Sequence, residues 1–238
     1  GKPRMSTQVH RTISEETVRQ ISDELDEPEW LLQTRLDALD ALDDLDMPQV
    51  IRTPGRDWTN LDALDYEDFV DPLNAAEEKD QVGPDEVEVL PIADAVDEHE
   101  DVVREHFGSV LDPQANYLTA LSTALFSTGT LVYVPEGVDA EDVTIRTTMN
   151  SQSLFNYTLV VTEQSSSVTI LERQSSGQDT EGERYYSGLV EVAAGENSHV
   201  QYGSLQELDE DTYNYTLKRG STADYATVNW VEGNLGSR

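Results

Sequence analysis

Apolar residues in the first part of the chain recur at three- and four-residue steps, which predicts amphipathic helices. The apolar positions are Val18, Ile21, Leu25, Trp30, Leu32, Leu36 and Leu39. Thr12-Ile13-Ser14-Glu15 fits a capping box ahead of the first helix. Pro28 suits the start of a second helix, which Met47-Pro48 ends. Leu36, Leu39, Leu42 and Leu45 form its predicted packing face.

The next stretch loses this periodicity and then regains it. Residues 48–86 are rich in Pro, Gly and Asp, and we expect an extended, partly mobile connector there. A helix is predicted from Ile92 to Phe107, ending at Gly108. Asp112-Pro113 offers an N-cap and first turn for another helix, which Gly129 closes.

After Gly129 the pattern changes to short strands rich in Val, Thr and Tyr, separated by polar turns. Three strand–turn–strand units resemble one another, and anchoring them on Val168, Val200 and Ala226 gives spacings of 32 and 26 residues. A loose repeat of this length is typical of a β-solenoid whose coils stack on a shared core. A β-sandwich predicts similar short strands and remains an alternative.

These patterns divide the chain near Asp112. Residues 1–112 are predicted to form an α-helical N-terminal region that includes the connector, and residues 113–238 a lead-in helix and the first part of a parallel β-helix. The last residues, 230–238, still alternate as strand and turn without a capping element. We therefore expect the fold to be truncated at its C-terminal end, so that 238 residues are a fragment of a longer protein.

The net charge of −33, from 48 acidic and 15 basic residues, argues against nucleic acid and anionic membranes as partners, because both are polyanions. The acids are spread over helices and loops rather than collected in a tail, which favours a surface adapted to high salt over a binding site for a basic partner. We therefore predict a halophilic source, with stability that increases with salt concentration in an unfolding scan. Full stability in dilute buffer would contradict this prediction.

Two features narrow the class of protein further. The chain contains no cysteine, which excludes thiolate nucleophiles, zinc–thiolate sites and Cys-ligated iron–sulfur clusters within these residues. It also shows neither an apolar run long enough to span a bilayer nor a signal peptide. We expect a soluble, cytoplasmic protein.

The histidines do not predict a metal site. His99 and His106 lie seven residues apart on one predicted helix, about 10 Å along its axis, whereas a helical metal pair is spaced by four. We interpret both as surface residues. His10 lies near the start of the chain, and His199 lies in a strand and is assigned to packing.

The sequence shows no other arrangement of residues that is typical of catalysis. Carboxylate pairs are too numerous to be informative, and no Walker-type phosphate loop occurs. Ser165-Ser166-Ser167 and Ser175-Ser176-Gly177 are interpreted as turns. We therefore predict no catalytic residue and no metal ligand, and the residues themselves leave cofactor binding unknown.

Several segments, taken in order, resemble the SufB/SufD family. The N-terminal stretch from Glu29 to Leu39, Met47-Pro48 and the stretch from Arg56 to Leu61 are similar to SufD-type proteins. The remaining matching segments cover the entry into the solenoid and its later coils: 98–103, 116–121, 129–138, 195–202 and 229–238.

The resemblance implies a scaffold of the SUF iron–sulfur cluster assembly machinery, with a helical N-terminal part and a right-handed parallel β-helix. It implies a SufB-like partner subunit and a SufC-like ATPase. It also implies that a cluster is met only transiently in the complex and that ATP is bound only by the partner ATPase. The fragment itself is expected to bind no cofactor.

Departures from the family pattern indicate the SufD type. SufB-type members carry a cysteine where this chain has Gln174, after Leu171-Glu172-Arg173. Gln206 and Lys218 align with polar positions used in SufB, but ordinary turn and surface roles are the favoured interpretation here. The cluster-site and ATPase-binding residues of the family lie beyond Arg238, so no metal-site residue is transferred.

Two other classes of function are considered. A β-helix enzyme acting on acidic polysaccharide would need export and a cationic or Ca²⁺-assisted cleft, and an acidic surface solenoid would also need export. The sparse cations and the lack of a signal peptide in these residues favour the scaffold.

Overall fold

The structure is a computed structural model, and it describes residues 14–46, 50–51, 59–60, 77–150, 153–177, 184–209 and 211–234. The helices in this part of the chain are α1 (Glu15–Glu24), α2 (Glu29–Ala41), α3 (Ile92–Glu98), α4 (Glu100–His106) and α5 (Tyr117–Leu125). The strands are β1 (Val50–Ile51), β2 (Thr59–Asn60), β3 (Glu77–Val82), β4 (Glu88–Pro91), β5 (Thr128–Val134), β6 (Asp139–Met149), β7 (Ser153–Thr162), β8 (Ser167–Ser176), β9 (Arg184–Ala194), β10 (His199–Glu207), β11 (Thr212–Thr222) and β12 (Thr227–Asn234).

From β5 onward the chain winds between two sheets and forms a parallel β-solenoid of about three turns. One sheet, the helix-side sheet, has the order β11-β9-β7-β5-β4, and the other, the open sheet, has the order β12-β10-β8-β6-β3. Neighbouring strands from β5 to β12 pair in parallel, whereas a β-sandwich pairs antiparallel neighbours. The predicted solenoid fold class is therefore confirmed, and the sandwich alternative is excluded.

The register corrects one predicted spacing. Val200 pairs with Val168, as the 32-residue spacing predicts, but on its other side it pairs with Val228 rather than Ala226. Ala226 belongs to the turn that precedes β12. The residue chosen to represent the last repeat unit was therefore wrong by two positions.

Each passage from the helix-side sheet to the open sheet is a four-residue turn whose third residue has a positive φ. These residues are Gly137 (75°), Ser165 (58°), Asn197 (55°) and Tyr225 (63°). The turns stack through backbone hydrogen bonds. The amides of Gly137, Ser165 and Asn197 donate to the carbonyls of Gln164, Glu196 and Asp224 in the next coil at 3.0, 2.9 and 2.9 Å. A left-handed residue at this position reverses the chain within one turn and aligns its donor with the coil above.

Buried serines reinforce these turns from within. The hydroxyl of Ser166 donates to the carbonyl of Glu163 at 2.6 Å, and that of Ser198 donates to the carbonyl of Gly195 at 2.7 Å. The Ser198 hydroxyl also lies 2.8 Å from the Thr162 hydroxyl. Each buried hydroxyl is thereby satisfied. The predicted turn Ser165-Ser166-Ser167 is confirmed for Ser165 and Ser166, whereas Ser167 begins β8. The predicted turn at Ser175-Ser176-Gly177 is wrong for Ser175 and Ser176, which are the last residues of β8.

A layer of helices packs on the outer face of the helix-side sheet. The first apolar core lies between them and joins α1, α2 and α5 to side chains such as Phe155, Tyr157 and Leu189. Leu39 and Leu42 are buried in it and Leu36 and Leu45 pack against it, which confirms that these leucines pack together. Helix α2 ends at Ala41, however, so Leu42 and Leu45 follow the helix rather than belonging to it as predicted. A second apolar core fills part of the solenoid interior.

Helix boundaries differ from those that the sequence predicts, for identifiable local reasons. Ser14 caps α1 and accepts a hydrogen bond from the Thr17 amide at 3.3 Å, two residues after the predicted cap. The predicted helix from Ile92 to Phe107 is two helices that meet at His99, whose φ of −130° is not helical and whose ring stacks on Tyr133.

The following helix begins four residues later than the cap that the sequence predicts. Asp112 Oδ1 accepts from the Gln114 amide at 2.9 Å in a local turn, so Asn116 takes the cap position of α5 and accepts from the Thr119 amide at 2.9 Å. Helix α5 ends at Leu125, because Thr128 already belongs to β5.

Part of the predicted connector, residues 48–86, has regular structure. Strand β3 pairs antiparallel with β6, and β1 pairs with β2. Its other residues up to 76 lie outside the described part of the chain, as do Thr12, Met47 and Pro48. The domain boundary near Asp112 stays a prediction.

Two buried charged groups fasten the helical layer. The Arg35 guanidinium donates to both Glu27 carboxylate oxygens at 2.8 and 2.7 Å and to the Ala124 carbonyl at 3.1 Å, and it lies 3.9 Å from the centre of the Phe126 ring. The buried Glu191 carboxylate on β9 accepts from the amides of Gly108, Val110 and Leu111 at 2.9, 3.0 and 2.7 Å. It also accepts from the Tyr157 hydroxyl.

We predict that Arg35→Met lowers the free energy of unfolding by about 3–5 kcal/mol, because the substitution leaves the buried Glu27 carboxylate without its partner. Arg19→Met is the matched control. Its partner Glu15 is four residues away on an exposed helix face, so a change within about 0.5 kcal/mol is expected. Denaturant unfolding of both variants measures the difference, and equal effects would contradict this role for Arg35.

Candidate functional site: the polar interior of the solenoid

Inward-facing side chains of the open sheet change from apolar to polar along each strand. One row across the sheet contains Val143, Ile170, Tyr202 and Trp230. The next inward row contains Ile145, Glu172, Ser204 and Glu232, and the one after it contains Thr147, Gln174 and Gln206. The two later rows therefore place a file of polar groups along the axis of the solenoid.

The facing strands of the helix-side sheet contribute a matching set. One inward row contains Thr130, Thr158, Val190 and Lys218, and its neighbour contains Thr128, Asn156, Gly188 and Thr216. Gly188 leaves room for the ring of Tyr186, since a Cβ there would meet the Tyr186 hydroxyl at 3.0 Å. Both walls of the interior are thus polar at the same level.

Several of these groups are buried without a hydrogen-bond partner in the described part of the chain. They include Thr147 Oγ1, Gln174 Oε1 and Ser204 Oγ. Leaving a buried polar atom unpaired costs about 1–3 kcal/mol, so these positions are unusual for the interior of a fold. Burial raises the pKa of Tyr202 well above its ordinary value of 10, and the adjacent Glu172 carboxylate adds to this shift.

The file opens into a cavity of about 390 Å³ at the β11–β12 end, lined by Ser204, Gln206, Thr216, Lys218, Arg219, Glu232 and Gly233. The Lys218 ammonium lies 3.0 Å from a carboxylate oxygen of Glu232. Only 8% of the Lys218 side chain is exposed, whereas 66% of Glu232 is. The cavity therefore has an enclosed cation with an acid at its mouth.

A short hydrogen-bond network orders the cavity wall. Asn214 Nδ2 donates to Gln206 Oε1 at 2.6 Å, and Gln206 Nε2 donates to Thr216 Oγ1 at 3.2 Å. The Thr216 hydroxyl in turn donates to Asn214 Oδ1 at 2.8 Å. The cycle fixes the orientation of the Gln206 side chain.

The structure brings together residues that the sequence placed apart. Gln206 and Lys218 lie in β10 and β11 and face this cavity, so their assignment to turn and surface positions is wrong. Gln174 is 2% exposed and pairs in register with Gln206. Strand alternation was the available signal, because Glu172 and Gln174 follow Val168 and Ile170 at two-residue steps.

The histidines lie apart from this interior. His99 Nε2 is 3.9 Å from Glu88 Oε2, and His106 Nε2 is 3.7 Å from Glu105 Oε2. His199 is exposed, with Nδ1 2.8 Å from the Thr227 hydroxyl. Among the residues that the structure describes, no group of three or more His, Asp or Glu is placed to hold a metal ion. His10 lies outside these residues.

The fold and interior define the chain as a parallel β-solenoid with a helical layer on one sheet. The family model described as "SUF system FeS cluster assembly, SufBD core domain" matches residues 144–238, and "SufBD protein N-terminal region" matches residues 57–145. The two adjoining models together cover most of the chain, which therefore belongs to the SufBD family.

Curated relatives agree with this family. Iron-sulfur cluster assembly protein SufB of Bacillus subtilis (strain 168) is 26% identical over 273 residues, covering 96% of this chain and 58% of the relative. A SufBD family iron-sulfur cluster assembly protein of Staphylococcus aureus (strain MRSA252) has the same identity and coverage. The chain thus spans less than two thirds of the length of these relatives. None of the described helices is long and apolar enough to cross a bilayer.

We predict that Glu172→Gln changes the free energy of unfolding by less than about 1 kcal/mol. Glu172 is buried beside Tyr202, and a neutral amide of the same shape is cheaper to bury than a charge. Ile170→Ala, two residues earlier on the same inward face, should cost about 2–4 kcal/mol. A loss above about 2 kcal/mol for Glu172→Gln, measured by denaturant unfolding, would show that the carboxylate stabilises the fold.

Proposed function

We propose that this chain is a non-catalytic, SufD-type scaffold subunit of the SUF iron–sulfur cluster assembly machinery. The observation that carries the proposal is the match of two adjoining SufBD models to a chain that folds as a solenoid. In this proposal the protein acts in the cytoplasm through its partners, a SufB-like subunit and a SufC-like ATPase.

Two features of the sequence support the SufD type: the residue at position 174 and the lack of cysteine. Gln174 stands where the resemblance places the cysteine of SufB-type members, and the chain has no cysteine at all. Because a thiolate is the nucleophile in persulfide chemistry, this chain cannot itself accept sulfur on a side chain. The named relatives include a SufB, so sequence identity alone does not support one type over the other.

The proposal assigns the chemistry to the assembled complex. The fragment binds no cofactor of its own, an iron–sulfur cluster is cargo of the complex, and ATP is bound by the ATPase subunit. The −33 charge argues against nucleic acid as a partner and supports a halophilic source.

Co-purification from a native extract tests the proposal. The tagged full-length protein that contains this chain should recover a SufB-like and a SufC-like protein, identified by mass spectrometry. An unrelated protein of similar negative charge is the control bait, because strong charge alone captures basic proteins. Recovery of neither protein above the control would contradict the proposal.

A further inference from the structure

One level of the solenoid interior is polar although apolar side chains lie on either side of it. At this level Thr147 on β6 and Gln174 on β8 pair in register and face inward. Ile145 and Ile170, nearer the stacked turns, belong to the second apolar core. On the other side lies a small apolar cluster formed by Met149, Leu154, Tyr186 and Leu208. The two polar side chains are therefore held between apolar groups.

The oxygens of these two side chains are buried and unpaired. Thr147 is 1% exposed and Gln174 is 2% exposed. In the described part of the chain, neither Thr147 Oγ1 nor Gln174 Oε1 has a hydrogen-bond partner. The next residue of the same row, Gln206, is engaged in its cycle with Asn214 and Thr216. The neighbouring side chains of the protein therefore leave both oxygens unsatisfied.

The chemistry and the spacing of the two groups select water as their partner. Buried polar groups that lack a protein partner are typically hydrogen-bonded to an ordered water molecule. Thr147 and Gln174 lie on adjacent strands, about 4.8 Å apart along the solenoid axis. A water molecule with two hydrogen bonds of about 2.8 Å bridges roughly this distance. Water also suits a hydroxyl and an amide oxygen at once, because it can donate to both.

We propose that the solenoid interior holds a water molecule that bridges Thr147 Oγ1 and Gln174 Oε1 and stays bound in the folded protein. The water donates one hydrogen bond to Gln174 Oε1 and shares a second with the Thr147 hydroxyl, so both oxygens are satisfied. Neither residue lines the cavity at the β11–β12 end, so this site is distinct from that cavity. It also does not depend on the proposed function, because it follows from the fold alone.

Water magnetic relaxation dispersion tests the proposal, because it counts water molecules that stay bound for longer than the protein takes to tumble. The sample is the full-length protein that contains this chain. Thr147→Val and Gln174→Met keep the shape of each side chain and remove the oxygen. Each should lower the count by about one water molecule. The double variant should also lose about one, because both side chains hold the same molecule.

Denaturant unfolding of the same variants gives a second readout. If a bound water joins the two oxygens, removing either one leaves the other group without its partner, so the midpoint should fall for each single variant. If the oxygens are simply unpaired, replacing either with an apolar group removes a buried polar atom, and the midpoint should rise. A rise in both single variants would overturn the proposal.

Thr148→Val is the matched control, because Thr148 is the next residue of β6 and points to the outer face of the open sheet. This substitution should leave the count of bound water unchanged. An unchanged count in both Thr147→Val and Gln174→Met, an equal loss in Thr148→Val, or a loss of two water molecules in the double variant would each contradict a shared water.

Discussion

The fold depends on the stacked turns that carry the chain from one sheet to the other. In each turn a residue with positive φ reverses the backbone, and in the first three turns its amide donates to a carbonyl of the next coil at 2.9–3.0 Å. Because this bond aligns successive coils, it determines which residues of β8, β10 and β12 lie opposite one another. A shift of one residue would move every side chain to the opposite face of its strand.

This alignment explains how one chain builds two different surfaces. Side chains on the inner face converge on a polar file that contains Glu172 and Gln174 and ends at Lys218. On the opposite face of the same open-sheet strands, Leu171 and Arg173 lie on the outside of the solenoid, where Arg173 forms an ion pair with Glu207. The helical layer covers the other sheet, held by the buried charges of Arg35 and Glu191.

Much of the fold could be predicted from the sequence because strand and helix periodicities are strong local signals. The 32-residue spacing between Val168 and Val200 corresponds to one coil of the solenoid, because these residues pair in register. The next residue in this row is Val228 rather than Ala226. The connections between coils differ in length, so a fixed spacing does not identify it. The helix break at His99 accompanies the stacking of its ring on Tyr133, and the late start of α5 accompanies a local turn at Asp112. Neither contact can be read from the periodicity of apolar residues. The interior position of Lys218 likewise follows only from the register of β11.

The alignment of the coils by their turns is the central claim, and native-state amide hydrogen exchange tests it most directly. The amides of Ser165 and Asn197, which donate to the next coil, should be protected to the same degree as strand amides of β8 and β10. The amide of Glu196, in the same turn but without a backbone acceptor in the described structure, should exchange much faster. Rapid exchange at Ser165 and Asn197, as in an exposed loop, would contradict the account.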